Sequence, residues 1–597
     1  MAVGKAVVRS WLAVSALVAL SACGGGGGGN EIPAPTPTPT PGAPTPTPTP
    51  VPTPLPTAPP SAHASLTADC NGADCGALDA NTAGAAGVSG TWSYDNTTSA
   101  TVLVDINIAN TLGRTGALVV SNTSSYPVTM YNIPIQTSTQ AAVSASQMRA
   151  GKLKTPPINQ IPASVRDFVR PTAAQVASQS KLALKPSQRV AYTVGSPRNW
   201  IDADNGSHAT TLRQSWTTAD GRVVNIWVED LEFGTNQAVS VTAADVTALG
   251  NAFASGTSNP ADPATSIYSM VTNLAGQPWG AIPASKASQL IDASQPIDIV
   301  IINIKRDQAP FGTVGYFFER NNYRASYVAS SNESLSFFLD SETIYYARTP
   351  SRHNTTGMDY ELSTLAHEFT HMINFYQRTV LRGSVYDNAN WLEEMTAMGM
   401  EDIVDTQINP AYNAVRDLRF SDWLGAGGYN CGFDLFNNDT TATCFSYSTG
   451  GAFIGYLTRQ YGVANFYQQL LTNFTSTDSL TLLDNTIRAA AASKPGTPAT
   501  LASALRHWQA SVALFSATPP ATYGYPQYVE AVNGTTFTLP ALAGSDYTAE
   551  RDSALPGSQP SYLVSHGMFP TLRRNLGATW TESVAVPAGT SLTVVLP

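Results

Sequence analysis

One stretch constrains the chain more than any other: Glu361 to Arg378, ELSTLAHEFTHMINFYQR. It holds His367, Glu368 and His371 in the order H-E-x-x-H. On a helix, side chains four apart share a face, about one turn from each other. Two imidazoles so placed can each give one nitrogen to the same metal ion, and Glu368 is placed to act as a general base on water beside it. The rest of the stretch suits a helix buried on several sides. Leu362, Leu365, Ala366, Phe369, Met372, Ile373 and Phe375 are apolar, and neither Pro nor Gly interrupts them. Thr356 or Asp359 can cap its start, and Arg378, Arg382 and Gly383 suit its end. Chance gives such a pattern in roughly one of several hundred chains this long, so the motif also needs a third donor. Catalytic zinc sites use three protein ligands and keep one position open.

Trp391-Leu392-Glu393-Glu394-Met395-Thr396-Ala397 offers that donor. The gap after His371 leaves room for a loop and entry into a second helix. Adjacent helical positions point about 100° apart, so one of Glu393 and Glu394 can face the metal. The competing reading is a solvated acidic pair favoured by a helix N-terminus. The segment resembles the W-L-x-E-x-x-A segment of gluzincins, metallopeptidases whose third zinc ligand is a glutamate. That resemblance assigns the ligand to Glu394, with Glu393 second.

The chain has 597 residues, too many for one core, so several domains are expected. Hydrophobic content is 43%, charged content 12% and net charge −10, with a pI near 5.2. This balance argues against a nucleic-acid or anionic-lipid surface as partner. The N-terminus reads as an address. Lys5 and Arg9 precede a short apolar run, Trp11 to Leu20, and Leu20-Ser21-Ala22-Cys23 resembles a bacterial lipobox. That resemblance implies cleavage after residue 22 and membrane anchoring through an acylated Cys23 at the cell envelope. Six glycines and a run of Pro-Thr repeats follow, the composition of a flexible then rod-like tether. Of the 5 cysteines, four remain, and local pairing gives Cys70–Cys75 and Cys431–Cys444.

The expected fold class is α+β. Residues 63–135 read as a β-rich module, on runs such as Thr101 to Ile108. Residues 136–188, rich in Ala, Ser, Gln, Pro and scattered Lys and Arg, read as a linker that proteolysis could remove. The main body spans 189–516. Strands are expected at Arg189–Val194, Ala209–Thr217, Arg222–Glu229, Ile297–Ile304 and Leu335–Asp340, with helices at Ala243–Phe253 and Leu501–Phe515. Asp202 to Gly206 reads as a polar turn rather than a calcium loop. Residues 517–597 read as a second, C-terminal β-rich module. His208, His353, His507 and His566 have no partners visible in sequence.

The run from about Tyr192 to Gly462 resembles the hyicolysin-type bacterial metallopeptidases. The carrying segments are Ile226 to Asp230, Gly315 to Phe317, Ser331 to Ser334, Thr364 to Asn374 and the Trp391 segment. The resemblance implies a zincin-like catalytic domain flanked by the two β modules. It further implies one Zn2+ on His367, His371 and Glu394, with Glu368 as catalytic base and protein or peptide substrates. The paired Glu393-Glu394 departs from the usual single glutamate. Phe445 to Leu457 resembles the Y-x-x-G-A helix start of gluzincin aminopeptidases, which places Tyr447 as an oxyanion donor. Gly357 to Glu361 abuts the active helix too closely to grip a substrate amine, which favours an endopeptidase over an aminopeptidase. A catalytically inert surface adhesin is the alternative from outside enzymology.

Overall fold

The computed structural model describes residues 62–70, 76–77, 90–131, 133, 161–172, 192–256, 262–348, 356–425, 428–436, 444, 446–514, 521–543, 547, 555 and 558–596. The signal, lipobox, tether, Cys75 and His353 lie outside them.

Six strands come from the N-terminal part: β1 (Ala62–Asp69), β2 (Gly76–Ala77), β3 (Gly90–Asp95), β4 (Val102–Ala109), β5 (Gly116–Asn122) and β6 (Val128–Thr129). The main body contributes β7 (Pro197–Ile201), β8 (Ser207–Thr217), β9 (Val223–Glu229), β10 (Ile297–Ile302), β11 (Gly315–Phe317) and β12 (Leu335–Asp340). The C-terminal part adds β13 (Tyr528–Val532), β14 (Thr535–Leu539), β15 (Tyr562–Leu563), β16 (Met568–Arg573), β17 (Thr579–Val586) and β18 (Thr590–Leu596). The main helices are α1 (Ala243–Ala254), α2 (Ile267–Ala275), α3 (Ser341–Tyr346), α4 (Gly357–Asn374), α5 (Asn390–Ile408), α6 (Ser446–Tyr461), α7 (Ser479–Ser493) and α8 (Leu501–Leu514).

The two β-rich ends are not separate modules. One sheet runs β17-β4-β1-β2 and the other β16-β5-β18-β3, so each mixes strands from both ends of the chain. In β4, Val102, Val104, Ile106 and Ile108 alternate inward. They meet Leu118, Val120, Leu592 and Val594 from the second sheet. All seven residues of β5 are buried because its opposite face is covered as well. Ala117, Val119 and Val595 belong to the core of the main body, where α8 lies over β5 and β18. Strand periodicity locates each strand but not a pairing partner hundreds of residues away. The β13–β14 hairpin stands apart from the sandwich and packs on α5.

Among the described residues, the sheet of the main body has six strands in the order β11-β12-β10-β9-β8-β7. β9, β10 and β12 are parallel, and β11 closes one edge antiparallel to β12. The central strands are hydrophobic on both faces, as parallel strands covered on both sides require. Val224, Ile226, Ile299, Ile301, Phe337 and Leu339 pack toward α1, α2 and α4. Trp200, Trp227, Val300, Tyr316, Phe318 and Phe338 form a second core on the other face. No strand occupies residues 192–194. Thr193 to Ser196 form a turn, and the first strand of this sheet begins at Pro197. The Asp202 segment is a turn, with Oδ1 accepting from the Asp204 and Gly206 backbones. Cys431 and Cys444 form a disulfide, and Cys70 is also disulfide-bonded. Among the described residues no helix is long and apolar enough to cross a membrane.

His208 ties that turn to the sheet. Its Nε2 lies 3.0 Å from Asp202 and its Nδ1 3.1 Å from Glu229. Burial lowers its pKa, but the two carboxylates outweigh burial and raise it to about 9, from 6.5. A folded-state pKa above the unfolded one stabilises fully below pH 6.5 and loses that contribution as pH rises through 9. The shift corresponds to about 3 kcal/mol. Thermal unfolding of the His208→Gln variant should therefore show a flatter decline between these two values than the unsubstituted chain. An equally steep decline in both would remove His208 from the explanation.

Candidate metal centre

The centre is built on α4. Thr356 and Asp359 form a capping box at its start: each side chain accepts from the other residue's backbone N–H. The helix then passes beneath β12 and the edge strand β11, which buries His367, Glu368 and most of its apolar residues. It runs on as a π turn, Phe375–Val380. Gly383, at φ 111°, then turns the chain toward α5.

His367, His371 and Glu394 converge. One ligand atom from each lies within 4.8 Å of the others. Glu394 Oε2 is 3.1 Å from His367 Nε2, and Oε1 is 3.5 Å from His371 Nε2. Burial raises the Glu394 pKa, but the two histidines outweigh it and hold the carboxyl down at about 2. Two imidazole nitrogens and a carboxylate oxygen suit zinc and its usual catalytic ligand number.

Both outer imidazole nitrogens are engaged. His367 Nδ1 lies 2.6 Å from Glu401 Oε1, and His371 Nδ1 2.9 Å from Glu393 Oε1. Ionised carboxylates only accept, so each Nδ1 carries a proton; each Nε2 also faces a carboxylate, that of Glu394, and would give up its own proton to offer a lone pair to an ion. Glu401 is in turn gripped by Arg419, whose Nη2 donates to both oxygens at 3.2 Å. Arg419 reaches it by passing Gly451, where a Cβ would stand 2.9 Å from the arginine Cγ. Glu393 accepts from Asn374 and Asn388. Glu393, a quarter exposed at 25%, is therefore held by the protein rather than being one of the converging donors. It braces the second histidine from behind. This buried cluster carries more carboxylate than cation: Glu368, Glu393, Glu394 and Glu401 against Arg419 and the imidazoles, a balance that a divalent ion corrects.

Glu368 sits on the β11 side. Its Oε2 accepts the Phe317 backbone N–H at 2.6 Å, which fixes the carboxylate and leaves the other oxygen for water. Burial raises its pKa, the histidines pull it down and Glu394 adds to the rise, so that it lies above the ordinary glutamate range. Such a shift suits a base that must later release its proton. Tyr447, near the start of α6, approaches Glu394 without completing a hydrogen bond. Burial, then Glu394 and Glu368, push its ionisation far up, so the phenol stays a neutral donor. The Arg419 guanidinium carbon lies 5.7 Å from its ring centre.

Sequence reasoning did not single out Glu401, Arg419, Asn374, Asn388 or the Phe317 N–H. Glu401 carried a usable signal, since it lies two turns beyond Glu394 on the same helix face. His507 stacks on Tyr523 with centroids 4.0 Å apart, and His566 Nδ1 lies 2.9 Å from Asp434.

The peptidase M30 family matches residues 204–597. A domain of unknown function matches residues 68–135. The neutral metalloprotease ShpI of Staphylococcus hyicus is 26% identical over 276 residues, which cover 43% of this chain and 54% of that protein. The chain thus spans about half the length of this curated relative.

Proposed function

The chain belongs to the peptidase M30 family, and on that premise we propose that it is a zinc-dependent endopeptidase with a zincin-like catalytic domain. The reading rests on one observation above all: His367, His371 and Glu394 converge beside a glutamate anchored to an edge strand. In it, His367 and His371 through Nε2, with Glu394, hold the ion, which supplies Lewis acidity toward a peptide carbonyl and toward water. A substrate strand pairs with β11, the edge strand of this sheet among the described residues, which places its scissile carbonyl over α4. Glu368 takes a proton from water and passes it to the leaving amine. The Tyr447 phenol donates to the carbonyl oxygen as negative charge develops there. Glu393 and Glu401 keep the two imidazoles oriented. The Leu20–Cys23 signal supports tethering of the enzyme to the envelope by its acylated N-terminus.

Digestion of a mixed peptide library tests the proposal. We expect cleavage of internal bonds in N-terminally blocked peptides, abolished by a zinc chelator and restored by added zinc. No cleavage, or cleavage indifferent to the chelator, would refute it. Cleavage confined to peptides with a free amino terminus would make it an aminopeptidase instead.

A further inference from the structure

Residues 161–172 lie between the two family matches and belong to neither. They are nevertheless docked on the catalytic body. Ile161 to Ala163 border a small cavity with Asp202 and Tyr316, and Ser164 donates to Asp204 at 3.1 Å. Phe168 packs edge-on against Phe318 at 5.3 Å and reaches Tyr323. The segment therefore lies against Tyr316 and Phe318 on the face of β11 away from α4. At Arg170 it turns toward Phe375, four residues past His371. The Arg170 Nε and Nη2 donate to the two oxygens of Glu319 at 2.6 and 2.5 Å. Its Nη1 donates to Asp387, and the guanidinium lies over Phe375 at 5.8 Å.

These two acids come from different elements. Glu319 follows the edge strand whose Phe317 N–H anchors Glu368. Asp387 precedes the helix that carries Glu394. Burial first, then Asp387 and Glu393, push the Glu319 carboxyl up despite Arg170, and a cation beside it favours its charged form. The direction of β11 says which part of a substrate passes there. A peptide antiparallel to β11 lays the residues before its scissile bond toward Glu319.

We propose that Glu319 and Asp387 form an acidic subsite for a cationic group on the N-terminal side of the cleaved bond, and that Arg170 fills it as an internal competitor. The inference rests on the peptidase reading above. The ligand is a lysine or arginine side chain, or the α-ammonium of a short substrate. All three present N–H donors and positive charge to a carboxylate pair, as Arg170 does. A third of the arginine side chain, 33%, is exposed, so a substrate cation can approach the same two carboxylates.

The test compares the full chain with Arg170→Ala and Arg170→Lys on matched peptides. One set carries Lys before the cleaved bond, the other Ala, each with blocked and free amino termini. Arg170→Ala should raise kcat/KM for cationic peptides roughly tenfold over their neutral partners, chiefly through KM. Arg170→Lys should behave like the unsubstituted chain, and adding Asp387→Asn to Arg170→Ala should erase the gain. A gain on blocked Lys peptides identifies the side chain as the ligand, and a gain only on free termini identifies the α-ammonium. Equal effects on cationic and neutral peptides would overturn the subsite. If Arg170→Ala does not fold, Arg170→Gln gives the same readout. Calorimetric titration of the Lys peptide into the same variants decides the matter even if no chain cleaves. Tighter binding to Arg170→Ala supports the subsite, and unchanged binding overturns it. Absent cleavage alone counts against the peptidase reading.

Discussion

Substituting Glu368 by Gln should lower the rate of peptide hydrolysis by about 10²–10⁴-fold, the usual contribution of a positioned base, while zinc content stays at the unsubstituted level. The geometry separates the two readouts. Glu368 is not among the converging donors, which are His367, His371 and Glu394. Its contact with the protein is the hydrogen bond accepted from Phe317, and a glutamine carbonyl can accept the same bond. What the amide cannot do is take up a proton near neutral pH. The loss should therefore fall on kcat, with KM for a peptide little changed. Metal analysis of the purified variant beside steady-state kinetics checks both halves. More than a tenth of the original rate would show that another group serves as base. Loss of metal would show that Glu368 helps hold the ion.

The sequence exposed this centre unevenly, and the reasons are physical. His367, Glu368 and His371 stood out because one helix face fixes their spacing, so local periodicity is enough. Glu394 needed a resemblance, since the loop between the helices has no set length and two adjacent acids compete. The role of Glu393 could not be read at all. Whether it meets solvent or His371 depends on how α4 and α5 cross, a tertiary fact. Arg419 lies on a third segment and acts through Glu401, so no spacing rule reaches it. The same limit shaped the fold. Thr101 to Ile108 declared itself a strand by alternation, yet nothing local says that β4 pairs with β17 at the other end of the chain. Residues 161–172 read as part of a linker because their apolar anchors, Phe168 above all, follow no repeat.

The division of labour between the two adjacent acids gives the other large effect. Glu394→Ala should cost far more zinc affinity than Glu393→Gln or Glu401→Gln. Glu394 offers its two oxygens to the two Nε2 atoms at 3.1 and 3.5 Å, so its removal leaves two donors where a catalytic site needs three. Glu393 and Glu401 touch only the far nitrogens, at 2.9 and 2.6 Å. Removing their charge loosens the ring orientation and lowers imidazole basicity, typically a 10–100-fold loss. Of these two, Glu401→Gln should also disturb Arg419, which donates to both Glu401 oxygens and lies beside Tyr447. Its kcat should therefore fall even when zinc is saturating, whereas added zinc should largely rescue Glu393→Gln. Competition against a chromophoric chelator measures the affinities, and kinetics at saturating zinc separates the second effect. Retention of zinc by Glu394→Ala, with its loss in Glu393→Gln, would exchange the two assignments and require α5 to be rotated by one residue from the position described.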